Sequence, residues 1–150
     1  MKAWWYYKFL PYFFITLQLG SLFYIAVSAP IIAHSWHGIL VESIGIALVV
    51  WAVKAMKRNG NVTPVPKAHA SLITSGPYRF IRHPMYIAQI IAVIPLIYEH
   101  YTVYRMAALL ILIVTLIFKL HYEEQRLIEH FGTAYKDYQK RSKKLLPYLF

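Results

Sequence analysis

The feature that most limits what this chain can fold into is a run over residues 9–41 that contains no lysine, arginine, aspartate or glutamate. A membrane-crossing helix needs about 20 consecutive apolar residues, and this run is long enough to supply one. Hydrophobic residues make up 59% of the 150-residue chain, more than is usual in soluble domains. We therefore predict an all-α, integral membrane helical bundle, in which residues 1–150 form a single domain.

Four apolar runs are candidates for membrane-spanning helices: Phe9–Ala29, Trp36–Met56, Met85–Tyr98 and Met106–Phe118. The third and fourth runs are short for a full crossing, and Pro95 interrupts the third. The sequence leaves open whether both of them cross. At the two ends of the fourth run, Arg105 and Lys119 are expected to extend their charged groups toward the membrane surface.

The charge distribution predicts how these runs are oriented. Cytoplasmic segments of membrane proteins carry an excess of lysine and arginine. If both termini and residues 54–82 are cytoplasmic, every one of the 16 basic residues except Arg105 lies on that side, which favours four crossings. The net charge of +10 also raises the possibility of nucleic-acid binding. Because the basic residues flank apolar runs of membrane length, we expect the lipid bilayer, and not nucleic acid, as the partner.

The chain changes character after the fourth run. Four residues at spacings of three and four share one helix face: Leu120, Glu123, Leu127 and Phe131. This spacing predicts a C-terminal cytoplasmic amphipathic helix over residues 119–131. After Gly132, Thr133 is expected to cap a second short helix. The basic residues of 140–144 suit contact with anionic lipid headgroups.

The stretch over residues 75–86 reads SGPYRFIRHPMY and is polar, basic and flanked by apolar runs. Gly76 and Pro77 indicate a turn, and Pro84 is a favourable residue to begin a helix. The residue before a proline is pushed out of the α region, so His83 is expected to be extended. Since free N–H groups at a helix start attract carboxylates and phosphates, we predict half of a cofactor pocket here, at the membrane surface.

Two neighbouring acids, Glu123 and Glu124, are notable because the chain has only six. Glu123 lies on the apolar face of its predicted helix, where a carboxylate is costly without a partner. A ribose diol would supply two donors to it. The alternative is an internal ion pair with one of three basic residues: Lys119, Arg126 or Arg82. His83 has two interpretations as well, a general base or a hydrogen-bonded structural residue.

Three polar residues near the second run have other interpretations. His34 and His37 have a spacing seen in metal sites, but no third ligand is evident nearby, so we expect no metal. Glu42 falls inside the second apolar run and is either a functional intramembrane group or a residue near the interface. We favour the interface, because an unpaired carboxylate at mid-depth costs several kcal/mol.

Two ordered patterns carry a family resemblance. They are LITSGPY…RHPMY over residues 72–86 and EEQRL…FGTAY…Y…R over residues 123–141, followed by Pro147. Together they resemble the isoprenylcysteine carboxyl methyltransferase family and its phospholipid N-methyltransferase relatives. The resemblance covers about residues 61–149 and implies an integral membrane enzyme that uses S-adenosylmethionine.

The resemblance also implies roles for individual residues. Those expected to bind the cofactor are Ser71, Leu72, Ile73, Tyr78, His83, Pro84, Met85, Tyr86 and Glu123. Lys119 and Arg82 are expected to orient the methyl acceptor as catalytic residues. Lys119 stands where the family usually has arginine, and lysine cannot hold a carboxylate through two parallel hydrogen bonds. Ala88 stands where many members have glycine, so its methyl group is expected to narrow either the helix contact or the pocket.

The function expected from this resemblance is S-adenosylmethionine-dependent methyl transfer to a lipophilic or small acceptor at the cytoplasmic membrane face. One alternative is an NADPH-dependent, sterol-reductase-like membrane enzyme, although few additional basic groups near residues 123–127 are available for its phosphates. A second alternative is a non-catalytic membrane protein with the same fold. The acceptor atom and the oligomeric state are left open.

Overall fold

The computed structural model describes residues 4–56 and 71–145, with side chains from Phe9 onward in the first helix. Five α-helices form: α1 (Trp4–Val27), α2 (Trp36–Met56), α3 (Pro84–Glu99), α4 (Val103–Phe131) and α5 (Thr133–Arg141). A short 3-10 helix, Gly76–Arg79, lies between α2 and α3. No strand forms within these residues apart from one isolated bridge between Ile81 and Lys143. The all-α prediction is confirmed.

Three helices are long and apolar enough to cross a membrane: α1 over Phe9–Val27, α2, and α4. At 1.5 Å per residue, the 16 residues of α3 reach about 24 Å, less than the ~30 Å hydrocarbon core. Two antiparallel pairs, α1 with α4 and α2 with α3, make the main contacts of the bundle. The prediction of a helical membrane bundle is therefore confirmed, with α3 as a shorter fourth apolar helix.

Several predicted boundaries are wrong. Pro95 does not break α3, because a membrane helix tolerates proline where neighbouring groups satisfy its backbone. The fourth run and the amphipathic segment form one 29-residue helix, α4. Its length of about 43 Å exceeds the thickness of the hydrocarbon core. The same helix can therefore cross the membrane and extend beyond it, and the predicted amphipathic helix is its C-terminal part. Thr133 does not cap α5; Gly132, with φ of 57°, precedes that helix without a side-chain cap.

The expected extension of Arg105 and Lys119 toward the surface is also wrong, since both side chains are buried. Arg105 is 1% exposed, and its Nη2 donates to the Ile25 carbonyl at 3.4 Å. Ile25 lies in the last turn of α1, where unpaired carbonyls and the helix dipole favour a cation. Arg105 therefore ties the end of α1 to the start of α4. Lys119 points into the bundle and is 8% exposed.

Small residues allow α2 and α3 to approach closely. The three buried residues of α2, Gly38, Gly45 and Ala52, are spaced seven apart and share one face. A Cβ atom added to Gly45 would lie 2.7 Å from the nitrogen of Ala92 and 2.9 Å from the carbonyl oxygen of Ala88. Ala88 is fully buried in this contact, so its methyl group bears on helix packing and does not line the pocket.

Glu42 lies within two turns of the start of α2. Its Oε2 accepts a hydrogen bond of 3.0 Å from the backbone nitrogen of Ala33, in the loop between α1 and α2. The carboxylate thus holds the loop and is not an isolated charge at mid-depth. This loop and the turn after α3 share one end of the bundle, opposite the segment between α2 and α3.

Candidate active site

A cavity of about 470 Å³ lies where α2 ends and α3 begins, a size typical of small-molecule sites. Every residue that the sequence assigned to catalysis or cofactor binding lines it: Ser71, Leu72, Ile73, Tyr78, Arg82, His83, Pro84, Met85, Tyr86, Lys119 and Glu123. Nine further lining residues were not predicted: Ile15, Gln18, Leu19, Met56, Gln89, Leu127, Phe131, Tyr135 and Tyr138. The structure brings the predicted residues together, and their roles stay predictions.

The turn before α3 is held in place by the C-terminal segment. Gly76 adopts φ of 61°, a conformation that glycine favours, and begins the 3-10 helix. The carbonyl of Tyr78 accepts a 2.6 Å hydrogen bond from the Tyr138 hydroxyl. The backbone of residues 80–83 pairs with that of residues 143–144 through hydrogen bonds of 2.7–3.1 Å. The shape of this wall therefore depends on chain segments about sixty residues apart.

His83 lies at the centre of the site, immediately before the helix that Pro84 begins. Its backbone is outside the α region, as predicted, although ψ of 58° falls short of a fully extended chain. The imidazole is 7% exposed and stacks on Tyr86 at 5.3 Å. Its Nδ1 lies 3.6 Å from Glu123 and its Nε2 lies 3.6 Å from Glu124. Both distances are too long for a hydrogen bond, and within the described residues Nε2 has no hydrogen-bond partner.

Arg82 pairs with Glu124 and not with Glu123. Its Nε donates to Glu124 Oε1 at 2.6 Å, and its Nη1 donates to the carbonyls of Gln139, at 3.3 Å, and Ser142. The two charged side chains are 7% and 9% exposed. Successive residues of a helix point about 100° apart, so Glu123 reaches the cavity while Glu124 reaches the C-terminal segment. Most of the N–H donors of Arg82 are therefore used in hydrogen bonds that stabilise the fold.

Lys119 belongs to a polar chain that crosses three helices. Its Nζ donates to Gln18 Oε1 at 2.8 Å, and Gln18 Nε2 donates to Gln89 Oε1 at 2.7 Å. The ammonium also lies 5.2 Å from the centre of the Tyr86 ring, within cation–π range. Gln18 is the one strongly polar group of the first apolar run, a signal that pointed to α1 as part of the site.

Three buried tyrosines form the side of the cavity nearest the C-terminal segment. Burial raises the pKa of Tyr78 and of Tyr135 well above the ordinary value, and raises the pKa of Tyr138 to about 12. All three hydroxyls are therefore protonated near neutral pH, and those of Tyr135 and Tyr138 donate to Glu124 and to the Tyr78 carbonyl. Their neutrality avoids placing additional negative charge beside the carboxylates of Glu123 and Glu124.

A model of the phospholipid methyltransferase family matches residues 33–134, more than half of the chain. The chain belongs to the phospholipid methyltransferase family. The matched range begins before α2 and ends in α5, so it includes both His83 and Glu123. The resemblance seen in the sequence is thereby confirmed, and the family is one of membrane methyltransferases. No curated protein matches the chain.

Proposed function

We propose that this member of the phospholipid methyltransferase family transfers a methyl group from S-adenosylmethionine to a lipophilic or small acceptor at the cytoplasmic membrane face. The observation that carries the proposal is the convergence of His83 and Glu123 on one cavity. His83 precedes α3 and Glu123 lies in α4, yet Nδ1 and Oε2 lie only 3.6 Å apart. The family match supports methyl transfer in general, and the cavity supplies groups that suit this donor.

The residues of the cavity fit the polar parts of S-adenosylmethionine. When bound, that molecule supplies a methyl group activated by a sulfonium. The carboxylate of Glu123 is suited to accept hydrogen bonds from a ribose diol. In the first turn of α3, Pro84 has no N–H and the Tyr86 N–H donates to the His83 carbonyl at 3.1 Å, so the Met85 N–H is the donor suited to a ligand carboxylate. The Nδ1 atom of His83 lies 3.6 Å from Glu123 and is suited to hydrogen-bond a ligand group in the cavity, whereas Nε2 faces Glu124.

The charges around the cavity suit a cationic ligand. The carboxylate of Glu124 is balanced by Arg82 at 2.6 Å, so it contributes little net field. Glu123 instead faces the imidazole of His83, which is charged only when protonated. The ring of Tyr86 already stacks on His83 at 5.3 Å and lies 5.2 Å from the Lys119 ammonium, so the carboxylate of Glu123 is the group that attracts a cation. A sulfonium near these groups is therefore favoured.

The other half of the cavity suits the methyl acceptor. Ile15 and Leu19 of α1 give it an apolar wall, and Lys119 places one positive charge beside that wall. This combination fits an acceptor with an apolar chain and a polar or anionic head. We assign Lys119 to the acceptor, while Arg82, held by Glu124, acts as a positioning residue for His83.

The cytoplasmic location rests on charge. The cavity is lined by Met56, Ser71, Arg82, Lys119 and other residues of the sequence ranges 54–82 and 119–144, and these ranges hold 13 of the 16 lysines and arginines. The positive-inside rule assigns such segments to the cytoplasm. The residues of the site can there orient both substrates while the apolar walls exclude water, which accounts for much of the rate increase in a methyl transfer.

Binding of S-adenosylmethionine to the purified protein in lipid nanodiscs tests the proposal, measured by isothermal titration calorimetry. Loss of a hydrogen bond to a charged group costs about 1.5–3 kcal/mol. We therefore expect Glu123→Gln to weaken binding about 10- to 100-fold, and His83→Ala to weaken it as well. Glu129→Gln is the matched control, because Glu129 lies on the same helix and is 57% exposed. Unchanged affinity in both Glu123→Gln and His83→Ala would overturn the proposal.

The acceptor is then identified by incubating the wild-type protein with a labelled methyl donor and a membrane lipid extract. We expect one labelled, lipid-soluble product, absent when Glu123→Gln replaces the wild type. A labelled water-soluble product that differs from the unreacted donor would place the acceptor outside the lipid class while leaving the donor assignment intact. If neither the lipid nor the water-soluble fraction yields a labelled product, the transferase assignment is refuted.

A further inference from the structure

Three metal-ligating side chains meet at the end of the bundle opposite the cavity. His34 lies in the loop between α1 and α2, Glu99 is the last residue of α3, and His100 follows it. One ligand atom from each lies within 4.8 Å of the others. We propose that this cluster binds a divalent transition-metal ion of the zinc class. The proposal is independent of the methyl-transfer site.

The hydrogen bonds of Glu99 leave a lone pair directed toward the cluster. Its Oε1 accepts from the nitrogen of Ser35 at 3.0 Å and from the Ser35 hydroxyl at 2.5 Å. Within the described residues, its Oε2 accepts one hydrogen bond, of 2.5 Å, from the nitrogen of His34. An ionised carboxylate offers about four lone-pair positions, so a position remains on Oε2. That oxygen also lies 3.9 Å from His34 Nδ1.

His100 supplies the second independent observation. Its Nε2 is buried and has no hydrogen-bond partner within the described residues. A buried ring nitrogen without a partner is destabilising, and coordination of a metal removes this penalty. The rings of His34 and His100 meet edge to face, with their centres 5.3 Å apart. The imidazole that carries the unpartnered nitrogen therefore belongs to the same cluster as Glu99.

The geometry requires a small movement of one side chain. Zinc–ligand bonds of 2.0–2.1 Å place tetrahedral donors about 3.3 Å apart, closer than the 4.8 Å limit of the present cluster. His34 is 68% exposed and can rotate toward the other two, whereas Glu99 is only 12% exposed and is fixed by its bonds to the loop. The exposure of His34 also leaves a fourth coordination position open to solvent.

The donor set determines the class of metal. Two imidazoles and one carboxylate suit zinc, nickel or copper, whereas magnesium and calcium favour sites built from oxygen. Basic residues that would repel a cation are scarce here. In the two segments 9–53 and 83–118, Arg105 is the only lysine or arginine, and its side chain is buried. The sequence predicted no metal here, because the spacing of His34 and His37 showed no third ligand nearby; the folded chain instead brings Glu99 and His100 to His34.

Titration of zinc chloride into the full chain tests this site, with the protein in nanodiscs and purified without a histidine tag. We expect one zinc ion per chain by calorimetry, no saturable binding of magnesium, and visible absorption bands when cobalt replaces zinc. His34→Ala and His100→Ala should each weaken zinc binding at least tenfold, and the double variant should abolish it. His37→Ala is the matched control, because His37 is exposed and lies outside the cluster.

Circular dichroism shows whether each variant keeps the helical fold, so that a loss of binding is not confused with unfolding. His34→Ala is the more informative variant, since the His34 side chain is mostly exposed. The proposal is overturned if the wild type shows no saturable zinc binding, if the double variant binds zinc normally, or if His37→Ala weakens binding equally. Because binding of S-adenosylmethionine is measured separately, failure of either site leaves the other unaffected.

Discussion

Replacing Gly45 by alanine tests how closely α2 and α3 approach each other, and whether the cavity depends on that close approach. The added Cβ would meet the backbone of α3 at 2.7–2.9 Å, against an ordinary contact of at least 3.4 Å. The obstructing atoms are main-chain atoms of Ala88 and Ala92, which cannot rotate away. The two helices must separate by several tenths of an ångström, and α3 carries Pro84 and Tyr86 of the cavity wall.

The magnitude follows from two opposing terms. Overpacking a close contact costs about 1–3 kcal/mol. Alanine is favoured over glycine inside a helix by about 1 kcal/mol, which offsets part of that cost. Gly20→Ala is the matched control, because Gly20 lies inside α1 and an added Cβ there meets nothing within 4 Å. Subtracting the control removes the propensity term, so Gly45→Ala should be about 1–3 kcal/mol less stable than Gly20→Ala.

The assay is reversible unfolding in mixed detergent micelles, followed by far-ultraviolet circular dichroism. Both variants carry the same chemical change in a helix interior, so their difference in unfolding free energy reports the contact of Gly45. We also expect Gly45→Ala, but not Gly20→Ala, to bind S-adenosylmethionine more weakly. If the two variants agree within about 0.5 kcal/mol, α2 and α3 do not touch as closely as the structure shows, and the reasoning is refuted.

Two further predictions concern the segment that holds the turn. Glu124→Gln leaves the buried guanidinium of Arg82 without its counter-charge, so we expect a loss of about 3–5 kcal/mol of unfolding free energy, measured in the same micelles. A loss below about 1 kcal/mol would contradict a buried pair. Burial raises the pKa of Tyr138 from 10.0 to about 12, so its contribution to stability is complete below pH 10 and is lost between pH 10 and 12. Tyr138→Phe should flatten this decline, and an unchanged pH profile in that variant would contradict the assignment.

The sequence was sufficient for the parts of the fold that depend on local patterns. Apolar run length located α1 and α2 to within a few residues, and Pro84 located the start of α3 because proline suits the first position of a helix. The turn at Gly76 was predicted for a similar reason, since its positive φ favours glycine. These signals lie within the element that they specify.

The sequence-based predictions failed for side chains whose surroundings depend on contacts between elements that are distant in the chain. Arg105 at the end of an apolar run suggested a residue that reaches the surface, and only the approach of α1 turns it into a buried partner of Ile25. The choice of Arg82 between two adjacent acids depends on the rotation of α4, which periodicity does not fix. Parts of the sequence-based description, such as residues 57–70, lie outside the described residues and are not compared.

The neighbouring acids of α4 show how the fold separates stability from binding. Glu124 is committed to Arg82, whose remaining contacts fix the C-terminal segment against the turn. Glu123 is one residue away but faces the cavity, beside a histidine whose Nε2 has no hydrogen-bond partner among the described residues. A site that must bind and release a ligand cannot satisfy all of its own polar groups, because those groups would then compete with the ligand. The Arg82–Glu124 pair, whose hydrogen bonds are made within the fold, therefore holds His83 and Glu123 in position. Glu123 and Glu124 point about 100° apart on α4, so one helix can carry both roles.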